Sequence, residues 1–221
     1  MTGKTHKRIS LMFSYIGCLI LCVVKPAFME QFIPMESFEW TLKNCLNFYM
    51  MMAVCSEFCK EGTLFPDLDH AWTNLKEKTA LTKVINVIIH LTGGKHRSKQ
   101  THSADIAIIC TVVYLFVTVT FLQDTFTYPL WLIGGIGFFG GWLTHLFADM
   151  LTSDGIYLFC WQKKKISFVP KSLFGFKFNT GGAWEDFVFK IATFLEWTSC
   201  TLACLYPIGV YVWEKFFAGT V

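Results

Sequence analysis

The sequence predicts an all-α, polytopic membrane helical bundle of about five spans, read as one membrane-embedded domain over residues 1–221. Two observations carry that prediction. The hydrophobic content of 53%, with 17% aromatic residues and a positive mean hydropathy, exceeds what a soluble core of 221 residues needs, so the excess apolar mass faces lipid. That mass is also gathered into long stretches, and roughly 20 mostly apolar residues suffice to cross about 30 Å of hydrocarbon.

The first stretch, Ile9–Val24, follows a basic start and resembles a secretory signal. No small-x-small cleavage site precedes Lys25-Pro26, so it is read as a retained first span. The second, Trp40–Phe58, carries Lys43, Asn44, Asn47 and Glu57, which places it inside the bundle or partly at the interface. Its Met50-Met51-Met52 run is read as helix packing. Ala104–Leu122, Tyr128–Met150 and Phe187–Phe217 are long and apolar enough to span comfortably.

Two polar sectors separate these stretches. In the first, Leu81, Val84, Ile85, Ile88 and Ile89 share one face of Leu75–Leu91 at helical spacing, which suits an interfacial helix. In the second, Thr152–Trp184, aromatic and β-branched residues alternate with Gly, Pro and Lys, predicting a short β-hairpin or ordered loop near 156–178.

Charge sets the orientation. With five spans and the N-terminus inside, all of the 19 Lys and Arg except Lys25, Lys43 and Lys215 fall on the cytoplasmic side, the N-in/C-out arrangement of the positive-inside rule. A net charge of +3 without a basic stripe argues against nucleic acid. The nine cysteines form no Cys-x-x-Cys pair and lie largely in apolar runs, where free Cys acts as a small hydrophobe.

The six histidines are not scattered. This topology brings His6, His70, His96, His102 and His145 to the cytoplasmic face, with His90 nearby. His145 and Asp149, four apart near the end of the fourth stretch, point to the same side of a helix and can reach one ion or two adjacent ones. The bland alternative is a His–Asp hydrogen bond that knits helices together.

Asp67, Asp69 and His70 follow Pro66 in a tight segment. Carboxylate and imidazole together suit Zn, Mn or Fe, whereas a solvated capping turn is the competing reading. His96-Arg97 and Thr101-His102-Ser103 precede the third stretch, where Thr101 or Ser103 could cap the helix. A headgroup-anchoring loop explains Lys95, Arg97 and Lys99 but not the histidines. His6 is weakest alone and gains weight from sharing that face.

These residues resemble a known family. Pro66-Asp-x-Asp-His70, His96-Arg97 with Thr101-His102-Ser103, and Gly141-x-x-x-His145-x-x-x-Asp149-x-Leu151-Thr152-x-x-Gly155, with an early histidine, resemble the YdjM-like family of membrane-bound metal-dependent hydrolases. Its namesake is described as a LexA-regulated inner-membrane protein. The resemblance runs over about residues 2–186. It extends to Thr180-Gly181-Gly182-x-x-Glu185, which implies Glu185 as a ligand or as a neighbour supporting one. The family is in turn distantly similar to zinc-dependent phospholipase C and P1 nuclease, which implies a multinuclear zinc phosphoesterase. One departure stands out: the family spaces its histidines His-Arg-x-x-Thr-His, and here one further residue intervenes. Either the loop bulges to keep both ligands, or only one of His96 and His102 binds metal.

The resulting expectation is a hydrolase in the cell inner membrane with its active face cytoplasmic. His6, Asp67, Asp69, His70, His96, His102, His145 and Asp149 would hold two or three divalent ions, zinc above all, with Mn or Fe as alternatives, and Thr101 and Glu185 would support them. The metal would acidify a bound water, Asp67 or Asp69 would accept its proton, and Arg97 with Lys95 and Lys99 would pair with an anionic phosphate. A site open to headgroups and cytosol favours a phospholipid or polyprenyl phosphate. The competing classes are a metal carrier, disfavoured because the ligands sit at one face and not at the midplane, and a non-catalytic anchor binding a partner such as a repressor through basic loops.

Overall fold

The computed structural model describes residues 2–24, 40–69, 87, 91, 99, 101–153, 155–169, 172–173, 176–177 and 180–217. His70, Lys95, His96 and Arg97 lie outside these residues, as does His90. So does the amphipathic segment Leu75–Leu91, except for Val87 and Leu91, both helical. Among the described residues the architecture is all-helical: α1 Gly3–Val24, α2 Leu42–Leu64, α3 Ala104–Leu122, α4 Tyr128–Met150 and α5 Ala183–Phe216.

Four of these helices, α1, α3, α4 and α5, are long and apolar enough to cross a membrane. The second predicted span is a helix too, but Lys43, Asn44, Asn47, Glu57, Lys60 and Glu61 lower its hydropathy and it is not in that set. Its position explains the charges. Cys45, Phe48, Met52, Ser56, Cys59 and Thr63 recur at helical spacing along a buried face, while Leu46, Met50 and Phe58 are exposed outward. The helix starts at Thr41, whose hydroxyl accepts the Asn44 amide at 3.1 Å. Of the methionine run, Met52 packs in the core and Met50 faces out.

The pairing of α2 with α4 rests on missing side chains. A Cβ at Gly137 would stand 2.4 Å from the Cys55 carbonyl oxygen, one at Gly141 2.1 Å from that of Cys59, and one at Gly62 1.8 Å from that of Phe138. The two backbones therefore run in contact, and they run parallel, since 55 and 59 face 137 and 141. Apolar attraction between helices is weak in lipid, so close approach of this kind carries the packing. One turn further, the same face of α4 carries His145, opposite Thr63.

Helix α1 runs antiparallel to α2 and joins α4, as shown by the Ser10–Thr144 hydroxyl pair and by the Cys59 thiol donating to the Ser10 carbonyl at 3.4 Å. It is parallel to α5, where one guanidinium nitrogen of Arg8 donates to both oxygens of Glu196 at 2.9 Å. Helix α3 lies outside α4, tied by the Tyr114 hydroxyl donating to the Trp131 carbonyl at 2.7 Å. It exposes Ile108, Ile109, Val112, Phe116 and Phe121, the surface expected toward lipid. The N-termini of α1, α3 and α5 thus meet the C-termini of α2 and α4 at one end of the bundle.

At that end the segment after α4 is ordered without long strands. Ile156 and Ile166 exchange backbone hydrogen bonds of 3.0 and 2.7 Å, and Gly155 has φ +60, where a Cβ would stand 2.3 Å from the Ile166 carbonyl oxygen. Two-residue strands, Ser172–Leu173 and Phe176–Lys177, pair antiparallel. The segment near 156–178, expected as a short β-hairpin or ordered loop, is thus ordered by these contacts, with strands of no more than two residues among the described residues. All nine cysteines are free thiols.

Candidate metal centre

Asp149 sits in the last turn of α4 and His145 one turn before it, so both side chains leave the helix on the face that abuts α2. His6 comes from the second turn of α1. His102 stands just before α3. All four are at most 1% exposed. The His6 Nε2 lies 3.3 Å from Asp149 Oδ1, and His145 Nε2 and His102 Nε2 lie 3.6 and 3.8 Å from Oδ2. Asp67, in a single 3-10 turn over Pro66–Asp69 just beyond α2, brings Oδ1 to 3.8 Å from His145 Nε2. Its side chain is 30% exposed, so it forms the open side of the cluster.

The ring of His145 is fixed by the α2–α4 contact. Its Nδ1 lies 2.7 Å from the Thr63 carbonyl, which has no proton to give, so Nδ1–H donates and Nε2 is left to face the carboxylates. Among the described residues, that Nε2 has no hydrogen-bond partner, nor does His6 Nδ1, although both are buried. The rings of His6 and His145 stack with centroids 3.8 Å apart and 12° between planes.

Bare hydrogen bonding does not account for this arrangement. A charge-assisted N–H to carboxylate bond closes to roughly 2.7–2.9 Å, and the nitrogen–oxygen separations here are 3.3–3.8 Å. Ligand atoms about 2.0–2.1 Å from a zinc ion stand about 3.3 Å apart across a tetrahedral edge, close to the observed spacing. A carboxylate this buried needs compensating positive charge. Protonating both stacked imidazoles would place like charges face to face, whereas a divalent cation would meet the free His145 nitrogen, His6 and Asp149 together. Hence the donor set and its spacing fit a divalent metal.

Two groups qualify, His6 with His145 and Asp149, and Asp67 with His102 and His145. Both use His145, which has only one nitrogen to offer once Thr63 takes the other. The described residues therefore supply one ion through His145, and a second would need Asp149 to bridge or ligands from outside them.

The supporting residues are also resolved. Thr101 Oγ1 contacts His102 Nδ1 at 2.9 Å, and the Thr101 carbonyl accepts the Trp142 indole N–H at 2.9 Å. Thr101 thus orients His102 and does not cap α3. Ser103 occupies the cap position, but its hydroxyl donates to the Lys99 carbonyl. Glu185 is engaged by protein donors: one oxygen accepts the Thr2 amide and the hydroxyls of Thr2 and Thr5, and the other accepts the Gly181 amide. It anchors the turn that carries His6. Asp69 lies in the 3-10 turn beside Asp67.

Sequence reasoning missed the Thr63 carbonyl and the Thr2–Thr5 contacts. The only signal for the first was the pair of glycines, Gly62 and Gly141, that bring the helices together. Replacing Thr101 with valine removes the partner of His102 Nδ1 while keeping its shape. Metal affinity is expected to fall roughly 10–100-fold, the usual cost of such a neighbour, with an unchanged melting temperature. Competition with a chromophoric chelator measures it.

The family described as YdjM inner membrane protein matches residues 1–216. No curated protein and no solved structure matches the chain.

Proposed function

The chain belongs to the YdjM inner membrane protein family, and from that premise and the centre's geometry we propose that it is a membrane-bound, metal-dependent hydrolase acting on a lipid-linked or headgroup phosphate. One observation carries the reading: three buried imidazoles and a buried carboxylate from α1, α4 and the start of α3 converge at one end of a membrane bundle. A purely structural tie would not need three histidines on one aspartate.

A divalent ion, zinc by preference, supplies Lewis-acid polarisation of a phosphoryl oxygen and acidifies water near neutral pH. His6, His145 and Asp149 would hold it, with His102 and Asp67 as the second group on His145, and Thr63, Thr101 and Glu185 would keep those residues in place. Asp67, partly exposed and on the open side, accepts the proton of the attacking water, with Asp69 as the neighbouring alternative. The N-termini of α1, α3 and α5 point their partial positive charge at the same end, which favours an anionic substrate. We read all five helices as spans in an N-in/C-out arrangement with the site end cytoplasmic, because that arrangement assigns all but Lys25, Lys43 and Lys215 of the 19 Lys and Arg to one side by sequence, as the positive-inside rule requires.

The test uses purified full-length protein in detergent. At least one zinc, manganese or iron per chain by mass spectrometry is expected, together with phosphate release from short-chain phosphatidic acid or a polyprenyl phosphate. Chelation is expected to stop release while the protein stays folded. If supplemented protein holds no stoichiometric metal, hydrolysis is ruled out and a partner-binding anchor takes its place.

A further inference from the structure

The loop after α4 brings a second feature against the centre. Residue Tyr157 pairs with Ser103, the residue after His102, and the Leu158 carbonyl accepts the Asp105 amide at 3.4 Å. Over the ring of Tyr157 stand two ammonium groups, Lys99 at 5.1 Å and Lys165 at 5.5 Å from its centroid. One comes from the approach to α3 and the other from the loop, 66 positions apart in sequence. Neither forms an ion pair among the described residues. The nearby Asp105 carboxylate is occupied by the amides of Cys160 and Ile106.

A cation–π contact returns only about 0.5–1 kcal/mol at an exposed site, so each ammonium group keeps most of its charge for an anion that reaches the edge of the ring. The same loop exposes Trp161 and Phe168, with Phe159 stacked on Trp161 at 4.7 Å, aromatic surface suited to the depth of headgroups.

We propose that Lys99 and Lys165, set on Tyr157, form a clamp for the phosphate of a phosphomonoester lipid and present it to the centre beside His102. The clamp rests on the hydrolase reading for its purpose, but its ligand chemistry stands on its own. It selects a terminal phosphate dianion, which two ammonium groups match. Phosphocholine, whose phosphate is a singly charged diester capped by a cation, is a poor fit.

The test is calorimetric titration of the full chain in detergent after chelation, with dihexanoyl phosphatidic acid as probe. Lys99→Gln and Lys165→Gln are each expected to weaken binding roughly tenfold, the loss of one charge-assisted contact. Lys164→Gln, next in sequence but not over the ring, is expected to bind as wild type, and dihexanoyl phosphatidylcholine to bind at least tenfold more weakly. Unchanged binding in both ring variants overturns the clamp, as does an equal loss in Lys164→Gln, which would mean diffuse charge. Inorganic phosphate binding as tightly as phosphatidic acid overturns the lipid assignment. Because titration is done without metal, a failed clamp leaves the metal content per chain untouched, and a missing metal leaves the clamp measurable.

Discussion

Replacing Asp149 with alanine is expected to abolish stoichiometric metal binding and all phosphate release while leaving the helical bundle folded. Among the described residues, Asp149 is the carboxylate approached by all three imidazoles, at 3.3, 3.6 and 3.8 Å. Its loss therefore exceeds the roughly 10–100-fold that a supporting residue costs. Folding should survive because the close contacts of α2 with α4 and the Arg8–Glu196 pair of α1 with α5 do not involve Asp149, and its removal leaves no carboxylate buried at that position. Asp149→Asn separates charge from shape: it retains the volume and is expected to lose metal equally. Metal per chain and a melting curve on the same sample decide the matter, and wild-type metal content in either variant would sink the assignment.

The second large effect is on packing. Gly141→Val is expected to destabilise the protein by more than about 3 kcal/mol, beyond the ordinary 1–3 kcal/mol of an overfilled core. Side chains that are crowded can change rotamer. Here the Cβ alone would lie 2.1 Å from the Cys59 carbonyl oxygen and 2.8 Å from the Thr63 amide nitrogen, so backbone itself must move. Separating α2 from α4 also pulls the Thr63 carbonyl away from His145 Nδ1. Metal affinity should consequently fall together with the melting temperature, a coupling that Thr101→Val does not show. Gly140→Val, where a Cβ meets nothing within 4 Å, is the matched control and should melt near wild type.

The sequence discloses the parts of the centre that obey helical periodicity. His145 and Asp149 are four apart in an apolar stretch, and the structure places them on one point as that spacing requires. His6, Asp67 and His102 could be placed only by topology, since nothing local links a residue in the first helix to a turn beyond the second. They do meet. Of the two alternatives for His96 and His102, the structure brings His102 to the cluster, while His96 lies outside the described residues.

Other features were illegible for definite reasons. The group that orients His145 is a main-chain carbonyl, which any residue at position 63 would offer. The full length of α2 was hidden because its charged residues break the apolar run, although its buried face continues to Thr63. Glu185 was indicated by the family resemblance, but its partners Thr2 and Thr5 sit in a short polar start without periodic signature. That His145 has one nitrogen free for an ion could not be read in advance, because it depends on which ring nitrogen is already taken.

The tie between Glu185 and Thr5 spans 180 positions of chain. During synthesis the first helix must therefore wait, inserted but with its histidine turn unanchored, until the fifth helix has left the ribosome. Contacts so distant in sequence form late, after the cost of closing the intervening chain has been met. On the proposed reading of the centre, metal acquisition would be the last step of biogenesis: a nascent chain arrested before α5 holds His145 and Asp149 of α4 but lacks the clasp for His6. Loading with metal would then report that the whole bundle has assembled.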